Sequence, residues 1–184
     1  MFIQNFLKVN AKWIIHADGI LEVDVQGKRD MTFPYLPRFG IRMFMPKEFE
    51  SVNYIGYGPY ESYEDKHRAS YYGDFEDTVR GLHVDYLVPQ ENGSHLACTR
   101  LQLLNRSNSL QVLGEGFSFN ASHYTQEQLQ ETKNNFELEE SDYTILCLDY
   151  KMSGIGSGAC GPFLIEKYRL EEEHIQIKLS LEFC

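Results

Sequence analysis

The sequence predicts an all-β fold, an antiparallel sandwich carrying one short α-helix near residues 126–135. Apolar and polar residues alternate with a period of two in run after run, the pattern of half-buried strands. Turn-forming clusters separate these runs, and twelve Tyr with twelve Phe supply side chains suited to a pleated surface. One capping box interrupts the strand pattern. At 184 residues the chain is long enough to bury a substantial core. No repeat, low-complexity tract or linker marks an internal boundary, so residues 1–184 are read as a single sandwich domain.

Taken in order, Leu21, Val23 and Val25 alternate with Glu22 and Asp24, and Ile41, Met43 and Met45 repeat the device. Leu82, Val84, Tyr86 and Val88 predict a further strand, as does the Phe163–Tyr168 stretch. Tyr143–Tyr150 is apolar on both faces, which predicts a central strand covered from both sides. His174–Phe183 is the clearest case, with Ile175, Ile177, Leu179, Leu181 and Phe183 on one face. Asp18-Gly19, Gln26-Gly27-Lys28, Glu91-Asn92-Gly93, Arg106–Ser109 and Glu171–Glu173 are read as the intervening loops. At Thr125-Gln-Glu-Gln128 the Thr hydroxyl is placed to accept an N–H of the first turn while Gln128 reaches back, which predicts a helix ending near Asn134-Asn135.

Composition narrows the chemistry. A formal net charge of −10 argues against a nucleic-acid partner, because binding phosphates requires a basic face. It suits a neutral ligand. Cys98, Cys147, Cys160 and Cys184 lie far apart without a CxxC pair, so neither a disulfide framework nor a zinc site is expected. Met1–Val9 lacks the apolar core of a signal peptide, and no apolar run reaches membrane-spanning length. The expectation is a reduced, cytoplasmic protein. The sequons at Asn92, Asn105 and Asn120 are then read as chance matches.

The motifs leave the function open. Gly156, Gly158 and Gly161 match GxGxxG, yet a dinucleotide site requires a helix after the loop, and Pro162 leads into a strand-like stretch. The bland reading is a loop whose glycines permit tight turns. Glycosidase chemistry uses two facing carboxylates. Glu61, Asp65, Asp74, Glu76 and Asp77 are candidates, although most acidic residues are solvated surface. His67, between Lys66 and Arg68, reads as a polar turn. Tyr54, Tyr57, Tyr60, Tyr63, Tyr71 and Tyr72 form an aromatic belt suited to stacking on a sugar, to sheet packing or to subunit contact.

Several strings, in order, resemble one family. Leu36-Pro-Arg-Phe-Gly40 is similar to LPRxG, and Tyr54–His67 to GxGPxExYxDR with Lys66 in place of Arg. Pro89–Gly93 matches PxENG, followed by the pair Thr99-Arg100. Phe117–Thr125, continued to Leu129, resembles FxFNxSxYxxxxL, and Asp149–Pro162 resembles DxxxxGIGSxxCGP. The set resembles the C-terminal domain of family-2, LacZ-type β-galactosidases across most of residues 36–162.

The resemblance implies a partial supersandwich related to the galactose-mutarotase fold, the C-terminal two-thirds of the family's domain. The family's APxDND stretch does not occur here, so a truncated piece with uncovered strand edges is expected. It also implies that catalytic residues, and a divalent metal such as Mg, belong to a separate TIM barrel. This chain is then inactive alone and carries no cofactor. The glycine-rich loop would reach the rim of a galactoside pocket through Ser157, Cys160 and Gly161, with Cys160 standing where some members carry a stacking Trp. Implied partners are that barrel, the galactoside, and a further copy in a homo-oligomer. Two other readings stay open: a free-standing carbohydrate-binding module, and a mutarotase-like epimerase using a His and a carboxylate.

Overall fold

The computed structural model describes residues 4–155 and 163–184. Its strands are β1 (Leu7–Ile15), β2 (Ile20–Arg29), β3 (Arg38–Pro46), β4 (Ser51–Gly58), β5 (Tyr71–Thr78), β6 (His95–Leu104), β7 (Ser109–Ser122), β8 (Tyr143–Met152) and β9 (His174–Phe183). Helix α1 (Gln126–Glu131) and single 3₁₀ turns at Asn135–Glu137 and Glu166–Tyr168 complete the description. Pairing is antiparallel throughout, in the order β1-β2-β9-β7-β6-β4-β5, with β8 joined to β7 and β3 joined to β8. The expectation of an antiparallel all-β sandwich with one short helix is met.

Strand β7 makes two layers from one hydrogen-bonded network. Its Leu110–Gly114 half pairs with β9, whereas its Ser118–Ser122 half pairs with β8. Between them the pairing with β6 shifts, and Gly116 takes φ +74°, a left-handed conformation that a residue without Cβ adopts without strain. The chain bends there, and the β8–β3 pair folds over the main sheet. Gly27 shows how close the layers come: a Cβ there would lie 2.9 Å from the Phe39 ring. This explains why Gln26-Gly27-Lys28, expected as a loop, sits inside β2. The glycine makes room for a ring from the facing layer.

Between the layers lies one apolar core. Val23, Val25, Leu101, Leu103, Leu110, Val112, Ile177, Leu179 and Leu181 meet Phe39, Phe119, Leu146 and Leu148 there. The alternation read in β2, β3 and β9 places those residues inward, as expected. Strand β8 is covered on both faces, also as expected: Leu146 and Leu148 face the core, while α1 lies over the other side, where Gln126 Nε2 reaches Cys147 Sγ at 3.5 Å. The capping box forms as read, with Gln128 N–H donating to Thr125 Oγ1 at 3.1 Å and Thr125 N–H to Gln128 Oε1 at 3.0 Å. The helix stops at Glu131 rather than near Asn135, because Thr132 turns extended and Asn134 opens a new turn capped by Glu137.

Two expected strands are absent. Leu82–Val88 is a loop held by side-chain bonds instead of a neighbouring strand, with Val84 N–H donating to Asn92 Oδ1 at 3.0 Å. In Phe163–Tyr168, Phe163 and Ile165 point to solvent and the segment closes in a 3₁₀ turn. Among the described residues one edge each of β1, β3 and β5 lacks a strand partner. Val9, Trp13 and Ile15 share the inward face with Val23 and Val25, yet they are 51%, 53% and 82% exposed because the second layer ends over β2. Leu148→Ala should lower the unfolding free energy by about 2–5 kcal/mol, since this fully buried side chain meets both layers. Denaturant titration checks this, and a loss below about 1 kcal/mol would contradict the two-layer core.

Candidate functional site

One end of the sandwich gathers polar chemistry onto the outer face of the β3–β8–β7 layer. Arg38, opening β3, is its hub. Its Nε and Nη2 donate to the two oxygens of Asp149 at 3.1 and 2.5 Å, its Nη1 to Glu91 Oε1 at 3.0 Å, and its Nη2 also to Asn120 Oδ1 at 3.1 Å. Asn120 Nδ2 donates back to Glu91 Oε1 at 3.1 Å and closes the ring. Gly40 is required beside it, because a Cβ there would strike Leu148 O and Asp149. Burial opposes the Arg38 charge, but the Asp149 carboxylate outweighs it and holds the guanidinium firmly protonated. Burial, aided by the Asp149 charge, pushes the Glu91 carboxyl above its ordinary range.

A second cluster centres on Glu61. Lys66 Nζ and Tyr86 Oη both bond Glu61 Oε1, and Gly93 N–H donates to Oε2 at 2.9 Å. Burial works against the Glu61 charge, yet these donors outweigh it and hold the carboxyl below its ordinary 4.5. The Glu91-Asn92-Gly93 turn joins the clusters: Glu91 serves the first and Gly93 the second, while Asn92 ties Val84 N–H and Gln90 O. Gly93 takes φ +69° and packs against Leu82 O, where a Cβ would not fit. Asn92 and Asn120 are buried in these networks, so neither sequon is accessible in the folded chain.

The clusters flank the root of the glycine-rich loop. Ser153 N–H donates to Pro37 O at 2.9 Å, and its hydroxyl donates to Leu36 O at 2.6 Å while accepting Leu170 N–H at 2.9 Å. Gly154 N–H donates to Tyr168 O at 2.9 Å, and Ile155 N–H to Asp65 Oδ1 at 3.1 Å. The strings that carry the sequence resemblance contribute Arg38, Glu61, Glu91, Asn120 and Asp149 here, whereas the Thr99-Arg100 pair lies apart, with Arg100 bonded to Asp74.

A family model described as "Beta galactosidase small chain" matches residues 1–182. The chain belongs to this family. It is 46% identical over 177 residues to a β-galactosidase of Actinobacillus pleuropneumoniae, covering 96% of the chain. It is 44% identical over 172 residues to one of Staphylococcus xylosus, covering 93% of the chain. The chain spans about 17% of the length of each of these relatives.

The β-galactosidase rim residues inferred from the sequence, Ser157, Cys160 and Gly161, lie outside the described residues. The five candidate carboxylates scatter. Glu61 is bound up in its cluster, Asp65 anchors Ile155, Asp74 pairs with Arg100 at 3.2 Å, and Glu76 and Asp77 are exposed on β5. The aromatic belt divides: Tyr54 and Tyr63 are buried in packing, whereas Tyr60, Tyr71 and Tyr72 are exposed. His67 sits in a turn, its Nδ1 2.9 Å from Tyr63 O. Sequence reasoning missed the roles of Arg38, Asp149 and Tyr86; the signal for the first two was a charged residue within an apolar strand. Among the described residues, no group of three or more His, Cys, Asp or Glu could hold a metal, and no helix is long and apolar enough to cross a membrane.

Because the Glu61 carboxyl is depressed in the folded chain, its stabilisation is present above 4.5 and is lost as pH falls through the folded value. Glu61→Gln should therefore cost about 1–3 kcal/mol near neutrality, and the gap from the native chain should shrink on acidification. Denaturant titrations across that range check both; a gap that widened in acid would contradict the assignment.

Proposed function

We propose that this chain is the C-terminal, non-catalytic sandwich portion of a retaining β-galactosidase, an enzyme that hydrolyses terminal β-D-galactosides such as lactose. The observation that carries the reading is the anchoring of Ser153–Ile155 at two points, to Leu36 and Pro37 next to Arg38 and to Asp65 next to Lys66. A loop that leaves so rigid a root can shape a pocket without reacting itself. The following segment, with Ser157, Cys160 and Gly161, would form the pocket's rim. Family membership and the partial coverage of the β-galactosidase relatives support the assignment.

In this reading the acid/base and nucleophilic carboxylates act by double displacement from a TIM barrel, with its divalent metal, in the portion that the chain does not span. The uncovered inward face of β1 and the unpaired edge of β3 suit contact with that portion or with a further copy in a homo-oligomer. Cys98 and Cys147 are free and buried, which suits the reducing cytoplasm that we assign.

The chain alone should not turn over a nitrophenyl β-galactoside, and mixing it with the remaining portion of a β-galactosidase should produce activity. Turnover by the highly purified chain alone, or none on mixing, would overturn the proposal. In the mixed enzyme, Asp65→Ala should lower kcat/KM at least about tenfold while changing the chain's stability by less than about 1 kcal/mol, because it releases Ile155 without opening the core. Unchanged kcat/KM would remove the loop from the pocket. Light scattering should find the chain bound to the other portion or self-associated, and a stable monomer in the mixture would oppose a docking role for β1 and β3.

A further inference from the structure

We propose that two copies of this chain join edge to edge through β1, in an antiparallel pair whose two-fold axis passes beside Ala11. The backbone decides which groups are free to pair. At the two ends of the β1–β2 ladder, Asp30 N–H donates to Phe6 O at 2.9 Å and His16 N–H to Ile20 O at 2.8 Å. The register between these ends is unbroken, and bonding alternates along an antiparallel strand. The even-numbered residues of β1 therefore bond β2, while Leu7, Val9, Ala11, Trp13 and Ile15 turn their N–H and C=O groups to the free edge. The side chains of these same residues share the inward face, beyond the end of the second layer.

A free edge recruits another strand unless a charge, a proline or a bulge guards it. Two of the three free edges are guarded against a second copy. Strand β3 bulges between Phe39 and Gly40 and closes on Pro46. Strand β5 carries Asp74, Glu76 and Asp77, so two copies of it would repel. Strand β1 has nine residues with no bulge, no proline and no acidic side chain, and its edge-facing residues are all apolar.

The strand is also complementary to itself. With the axis at Ala11, Leu7 meets the partner's Ile15, Val9 meets the partner's Trp13, and the two Ala11 residues meet each other. Each of these positions offers a free N–H to a free C=O, and the apolar side chains of both copies lie side by side between the two second layers. On the opposite face Lys8 meets the partner's Ile14 and Asn10 meets the partner's Lys12, so no two lysines are opposed. An axis at Asn10 would set Lys8 against Lys12, and one at Lys12 would set that residue against itself. A two-fold pair consumes both β1 edges, so assembly stops at the dimer. The inference goes beyond the galactosidase reading and does not depend on the rim role of the glycine-rich loop.

Light scattering of the 184-residue chain alone should show a reversible monomer–dimer equilibrium. A contact of nine residues on each side is small, which suits a dissociation constant on the order of 10 μM. Trp13, the chain's one tryptophan, reports the surface used: its emission should move to shorter wavelength along the same concentration curve. Ala11→Pro removes the N–H at the axis without touching the bonds to β2, and Val9→Lys places a charge on the edge. Each should raise the dissociation constant at least about tenfold while the far-ultraviolet circular dichroism stays unchanged. A chain that stays monomeric well above that concentration would overturn the proposal, as would a dimer that leaves Trp13 emission unmoved or survives both variants. So would a monomer whose Trp13 emission shifts only when the remaining galactosidase portion is added, which would give the edge to that portion.

Discussion

A charge taken out of water must find its opposite and fill its remaining hydrogen-bonding positions, or it costs several kcal/mol. Arg38 imposes that condition on this protein. Its guanidinium meets Asp149, Glu91 and Asn120, which arrive from β8, the loop before β6, and β7. None of these elements can shift without leaving a buried ion or amide unmatched. The close approach that excludes any side chain at Gly40, and the bulge beside it in β3, follow from the same contact.

The second cluster extends this rigidity into the loops. Glu61 receives bonds from its own loop, from Tyr86 and from the Gly93 backbone, so two long connections between strands become one body. Loops ordinarily hold the mobile, adaptable parts of a fold. Here they form a stiff collar around the residues that lead into the glycine-rich stretch. Preorganisation of this kind reduces the conformational entropy lost when a surface closes around a ligand. Glu61, Lys66 and Tyr86 also line a cavity between the two connections, so the second cluster shapes its wall.

Strand prediction succeeded where one face met the core and the other met water. It failed in three instructive places. Leu82–Val88 alternates like a strand, but Asn92 satisfies its backbone from the side and no neighbour pairs with it. Phe163–Tyr168 is apolar enough for a strand, yet its Phe163 and Ile165 remain exposed. Gly27 resembles a turn residue, but its missing side chain accommodates Phe39 from the opposite layer. In each case a contact distant in sequence outweighed the local pattern, and local periodicity carries no record of such contacts.

Residue order alone was enough for the class of the fold, the capped helix at Thr125, the central position of β8 and, through its ordered motifs, the family. These properties depend on residue spacing along the chain, where a period of two or a four-residue box is visible directly. The folded arrangement was needed to bring Arg38, Glu61, Glu91, Asn120 and Asp149 into one collar and to bend β7 so that it serves two layers. Hydrogen-bond matching and burial are settled by distances across the fold, between groups that the chain order holds far apart.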